Sequence, residues 1–138
     1  MKKVLIQTAM LVMAILINVL TCSAQEREYD VFIPISKYIQ NGDAERLSAW
    51  FADNLEITMF QQTNESSKNQ AKQIIKTFFN SYTPRKFSID HKAGRSNLKY
   101  AVGSLNAGGE LFLVTIFVSN KNDSQAFQIQ QLKFEKID

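Results

Sequence analysis

Four side chains hold most of the acid–base chemistry this sequence offers: His91, Tyr100, Asp53 and Glu56. His91 is the only histidine. In Phe87-Ser88-Ile89-Asp90-His91-Lys92 it shares strand parity with Phe87 and Ile89, so alternation turns it toward the interior. Tyr100 falls on the next strand and could approach it. Asp53 or Glu56, near the end of a second helix, would bring a carboxylate to the same mouth. A histidine base, a tyrosine donor and a carboxylate in an apolar cavity could abstract or relay a proton, as an isomerase or dehydratase does. The competing account is structural: His91 and Tyr100 satisfy each other or the backbone as half-buried strand residues. Asp90 makes no dyad with His91, because adjacent strand residues face opposite ways.

Other chemistries lack their residues. One histidine cannot build a paired-histidine metal site. No dense acidic loop offers Ca²⁺ or Mg²⁺ an oxygen cage, and Asn122-Asp123 reads as a turn. No Gly-x-Ser-x-Gly elbow presents a nucleophile. Gly103 and Gly108-Gly109 do not open a helix in a βαβ unit, so they cradle no phosphate. No metal and no cofactor is therefore expected. The aromatic and aliphatic residues Trp50, Phe78, Phe79, Tyr82, Phe87 and Ile89 are candidates for a ligand pocket, and the core is their default use.

The N-terminus predicts where these residues work. Lys2 and Lys3 precede an apolar run from Val4 to Leu20, and Thr21-Cys22-Ser23-Ala24 follows with small residues. That is the pattern of a signal peptide over residues 1–24, with one domain over 25–138. Export to the periplasm or beyond is expected, with no stable membrane span in the mature form. Lipidation at Cys22, which Val19-Leu20-Thr21-Cys22 loosely permits, is the alternative. Cleavage after Ala24 removes the only cysteine, and with it any disulfide or thiolate chemistry. Without Lys2 and Lys3 the chain has 14 basic and 13 acidic residues. That near-neutral balance argues against nucleic acid as a partner. All ten phenylalanines and the single tryptophan lie after the signal, enough to build a core without staples.

Positioning falls to elements that the periodicity lays out. Phe32, Ile35 and Ile39 recur at helical spacing around Pro34, and Gly42 is a stop. Asp43 caps a second helix, whose stripe is Leu47, Trp50 and Phe51. Leu55, Ile57 and Met59 alternate as a strand, and Gln61 to Ser66 reads as a loop. Ser67 and Gln70 have the spacing of a capping box. Ala71, Ile74, Ile75, Phe78, Phe79 and Tyr82 then share one helical face. Four strands follow, with a Gly108-Gly109 turn between the second and third. In the last strand Phe127 and Ile129 point one way while Leu132 and Phe134 have the opposite parity. A bulge or bend near Gln130-Gln131 is therefore predicted. The order α-α-β-α-β-β-β-β makes an α+β fold, three helices packed on a curved antiparallel sheet as a half-open cone.

This order resembles the nuclear-transport-factor-2-like fold, also seen in ketosteroid isomerases, SnoaL-type proteins and cystatin-like folds. Gly42-Asp43-Ala44-Glu45-Arg46-Leu47, leading into Trp50-Phe51, is similar to the entry of that superfamily's second helix. Phe78-Phe79, Phe87 to Lys92, Tyr100-Ala101-Val102-Gly103-Ser104-Leu105 and Ile129-Gln130-Gln131-Leu132 resemble a family of small secreted Bacteroidota domains of unknown function. The resemblance implies a fold and no activity. Three functions remain open: a non-catalytic module binding a small apolar ligand or a protein partner, an enzyme resting on His91 and Tyr100 in the cone pocket, and a structural homodimer through the sheet face.

Overall fold

The computed structural model describes residues 30–120 and 126–137. The signal-peptide reading, Cys22 and the Asn122-Asp123 turn lie outside the described residues. A compact unit begins at Val31.

Helix α1 (Phe32–Gln40) buries Phe32, Ile35 and Ile39 and stops at Gly42, whose φ of 64° is the left-handed conformation glycine adopts without strain. The Asp43 carboxylate accepts the Arg46 amide at 3.0 Å and opens α2 (Ala44–Ser48). This second helix is shorter than its apolar spacing implies. Leu47 is its buried residue on the expected stripe, and Phe51 already begins strand β1 (Phe51–Met59). The polar run that reads as a loop is strand β2 (Gln62–Ser67), paired antiparallel to β1. As an edge strand it needs no buried face, so it has no apolar alternation.

Helix α3 (Lys68–Ser81) starts in the predicted capping box: the Ser67 hydroxyl accepts the Gln70 amide, and the Ser67 amide donates to the Gln70 side chain. Ser67→Ala is expected to cost about 1 kcal/mol. Thermal unfolding should register it as a fall of about 4–8 °C.

Four strands complete the sheet: β3 (Pro84–Gly94), β4 (Leu98–Ala107), β5 (Glu110–Ser119) and β6 (Gln128–Lys136). The curved sheet is ordered β2-β1-β6-β5-β4-β3. It is mixed rather than wholly antiparallel, because β6 inserts beside β1 and runs parallel to it. The predicted bulge is present at Gln130: Phe117 pairs with Gln131 and Val118 with Ile129. One residue is left over, which returns Ile129, Leu132 and Phe134 to the same face.

The helices cover one face only. Ile35, Ile39, Leu47, Ile75, Leu105 and Phe112 are all fully enclosed there. Side chains of the helices and of the sheet join there in one apolar core. The other, open face of the sheet carries mostly half-buried and exposed side chains, with Thr58 of β1 buried among them.

Candidate functional site

A second bulge decides where the sole histidine goes. Ile89 pairs with Gly103 and His91 with Val102, so Asp90 is the extra residue in β3. Beyond it the parity reverses. Val102 lies on the open face, opposite in parity to the buried Ala101 and Leu105. His91 therefore sits on the open face, exposed, and not in the interior where strict alternation would put it. Its Nε2 lies 3.5 Å from the Tyr100 hydroxyl, with ring centroids 5.9 Å apart. Tyr100 stacks on Phe117 at 5.5 Å. The pairing expected from the sequence exists, on the opposite side of the sheet from the expected one.

The carboxylates do not join it. Glu56 is on β1, accepting the Gln131 amide at 3.1 Å, and β6 and β5 separate it from Tyr100. Three strand spacings amount to roughly 14 Å. Asp53 is also on β1 rather than on a helix, and is exposed. Asp90, displaced by its bulge, accepts the Ser104 hydroxyl at 2.7 Å. That holds it on the same face as His91, against the alternation that excluded it. With His91 exposed and Tyr100 only half-buried, the sheet does not enclose the pair in the apolar surroundings that sharpen proton transfer.

A concavity lies elsewhere. A groove of about 390 Å³ runs between α3 and the β1–β2 turn, lined by Met59, Phe60, Ile74, Phe78 and Tyr82 with Gln73, Thr77 and Ser81 on its polar side. Phe78 and Tyr82 are candidates from the sequence that do meet here. Phe79 is buried in the core, Phe87 and Ile89 belong to β3, and Trp50 precedes the far end of β1. The lining contains no carboxylate, imidazole or amine.

Phe60 is the residue the sequence does not announce. The two-residue β1–β2 turn places Phe60 at φ 49° and Gln61 at φ 72°. The equivalent β4–β5 turn solves the same geometry with Gly108 and Gly109, at φ 59° and 79°. A bulky residue in left-handed backbone costs about 1–3 kcal/mol. The Phe60 ring offsets this by packing against Tyr82 at 5.6 Å, Phe112 at 5.8 Å and Phe78 at 6.1 Å. It stays 41% exposed while forming one groove wall. The missing glycine or asparagine at a tight turn is the one sequence signal that could have found it.

With this geometry, the comparisons with known proteins fix the family. The model of the domain of unknown function DUF4783 matches residues 32–135. The chain belongs to the DUF4783 family. A DUF4783 protein of Bacteroides uniformis superposes with a TM-score of 0.74 at 18% identity, over 79% of this chain and 99% of that one. Another from Bacteroides ovatus gives 0.73 at 19% identity, over 81% and 98%. A nuclear-transport-factor-2-like protein of Streptomyces avermitilis gives 0.59 at 11% identity, over 76% and 89%. No curated protein matches the sequence. At these identities the structures show the fold alone. This DUF4783 domain thus has the nuclear-transport-factor-2-like architecture its element order implies. Among its described residues no helix is long and apolar enough to cross a membrane.

Proposed function

We propose that this DUF4783 domain is a non-catalytic binding module that takes a neutral, apolar small ligand in the groove between α3 and the β1–β2 turn. The observation that carries this reading is Phe60: a strained, half-exposed ring standing where a glycine would serve the backbone better, and walling an aromatic concavity. The groove's volume is at the lower end of small-molecule sites. Its amide and hydroxyl rim can orient a ligand but supplies no group that titrates near neutral pH. Export is part of the reading and rests on the N-terminal pattern of Lys2, Lys3, the apolar run and Thr21 to Ala24.

The test uses N-phenyl-1-naphthylamine, a neutral aromatic probe whose fluorescence rises on leaving water. The wild-type chain is expected to bind it with a dissociation constant of about 10–100 μM, an affinity of about 6 kcal/mol. Phe60→Gly suits the turn and removes the wall, so the protein should stay folded and bind at least about tenfold more weakly. Thr77→Trp fills the groove from the α3 side and should do the same. His91→Asn, on the other face of the sheet, should bind as wild type does. Undiminished binding to both Phe60→Gly and Thr77→Trp would sink the reading.

A further inference from the structure

The β1–β2 turn borders a second hollow besides the groove along α3. It measures about 360 Å³ and is lined by Phe60, Gln61, Glu135 and Lys136. Phe60 belongs to both linings, so the two hollows adjoin there. The sheet brings them together. The parallel pairing of β1 with β6 runs to Met59 opposite Phe134, and the Phe60 amide then donates to the Phe134 carbonyl at 3.3 Å. That bond holds the turn beside the end of β6, where Glu135 and Lys136 follow.

The two hollows differ in shape and in chemistry. The groove follows α3 from Gln73 to Tyr82, with Ile74, Phe78 and Tyr82 as its apolar wall. At 1.5 Å per helical residue it is roughly 13 Å long. An extended alkyl chain advances about 1.3 Å per carbon, because its carbon–carbon bonds are about 1.5 Å, so about eight to ten carbons span that length. The second hollow is polar and its charges are balanced. Lys136 Nζ lies 3.5 Å from Glu110, and Lys133 Nζ lies 2.7 Å from Glu135. Each ammonium keeps further donors and each carboxylate further lone pairs. A carboxylate head would meet Glu135 and Glu110, and an ammonium head would meet Lys136 and Lys133. A hydroxyl group is donor and acceptor at once and suits both signs.

We infer that the ligand is a single-chain amphiphile with a neutral, hydroxyl-bearing head, as in a monoacylglycerol or an alkyl glycoside. This rests on the groove reading and adds a head to its apolar ligand. The tail lies along α3 against Ile74, Phe78 and Tyr82. At Phe60 the ligand crosses into the second hollow, where its hydroxyl groups reach the Gln61 amide, the Glu135 carboxylate and the Lys136 ammonium. Phe60 is then the wall of the tail site and the threshold of the head site. Burial of the tail supplies the affinity, and the few polar groups at the head supply the selection.

The test titrates the isotope-labelled wild-type chain with octyl glucoside, below its micelle concentration, and follows the amide NMR signals. Ile74 and Thr77 in the groove should shift together with Gln61 and Lys136 in the second hollow. Shortening the tail to hexyl should weaken binding at least about fourfold, since each fully buried methylene contributes about that factor. Octanoate and octylammonium, with comparable tails, should bind at least about fivefold more weakly than octyl glucoside or 1-octanoyl glycerol. Whichever of those two neutral amphiphiles binds more tightly tells a sugar head from a glycerol head. Gln61→Gly suits the turn, where φ is 72°, and should weaken octyl glucoside at least about threefold. Lys136 is exposed at the end of its strand, so Lys136→Glu should stay folded and tighten octylammonium at least about threefold at low ionic strength. Shifts confined to Ile74 and Thr77, or charged heads that bind as tightly as neutral ones, would overturn the head site and leave the groove reading standing. A chain whose signals move at neither hollow with millimolar amphiphile overturns both.

Discussion

Phe78→Ala should be the most damaging single truncation of an aromatic side chain in this domain. Phe78 is 4% exposed and sits where α3, β5, β6 and the β1–β2 turn converge. Its ring lies 4.8 Å from Phe134, 5.1 Å edge-on to Phe112, 5.3 Å stacked on Tyr82 and 5.9 Å from Phe79. Removing it forfeits the transfer free energy of the ring and opens a cavity whose rim is aromatic and rigid. Such substitutions cost about 3–5 kcal/mol. A domain of this size loses about 4–8 °C per kcal/mol, so the melting temperature should fall by about 15 °C or more. Phe60 makes a useful contrast. It loses ring contacts too, but it is half in solvent, and a glycine there releases backbone strain. Phe60→Gly should therefore melt within about 5 °C of wild type. If Phe78→Ala unfolds no earlier than Phe60→Gly in the same thermal scan, the aromatic cluster does not hold α3 to the sheet as described.

The parts of this fold legible in the sequence are those where apolar residues outnumber the alternatives. Helix α3 announces itself because Ala71, Ile75, Phe78 and Phe79 keep a 3.6 period behind a capping box. The bulge at Gln130 is legible for the same reason: apolar residues stand on both sides of it, so a break of parity has to be resolved by an extra residue. The early end of α2 is not legible. Leu47, Trp50 and Phe51 fit a helical stripe by spacing, and only the tertiary pairing of Phe51 with Ile129 makes the last of them strand. Strand β2 is hidden by its position at the edge, where Gln62 to Glu65 face solvent and leave no period to read. No local signal says that β6 will insert parallel to β1, because register between distant strands is chosen by packing the whole face.

The candidate site shows the same rule at work. The Asp90 bulge is the mirror case of the Gln130 bulge, yet nothing in the sequence betrays it. From His91 to Asn97 the chain has no large apolar residue whose parity would expose the slip. Alternation holds over Phe87 and Ile89 and breaks at Asp90, so His91 turns to the face opposite the one its spacing implies. The groove escaped for a different reason. Phe60 lies at a turn that carries none of the usual turn residues, so its φ of 49° could only be seen in three dimensions. The apolar stripe of α3, read as core, does both jobs. Phe78 is buried under the sheet, and Ile74 and Tyr82 reach past it into the groove.

Gly103→Ala should be the next most disruptive change, and it tests the bulge directly. A Cβ at Gly103 would lie 2.6 Å from the Ser88 carbonyl oxygen and 2.7 Å from the Phe87 ring. The ring could swing aside. The carbonyl cannot, because it belongs to the β3 backbone just before the Asp90 bulge. Strand β3 must therefore move off β4 or lose its register there, and overpacking of this kind costs about 1–3 kcal/mol. The expected fall in melting temperature is about 5–20 °C. The consequence for His91 separates this mechanism from a general loss of stability. If the bulge exists because Phe87 lies flat over a residue with no side chain, then forcing a methyl group between them unsettles the parity of everything after Ile89. His91 should leave Tyr100, and both rings should change their NMR shifts while the aromatic signals of Phe112 and Phe134 stay in place. A Gly103→Ala chain that melts as wild type does, with the His91 signal unmoved, would mean that the contact between β3 and β4 is looser than the 2.6 Å approach requires.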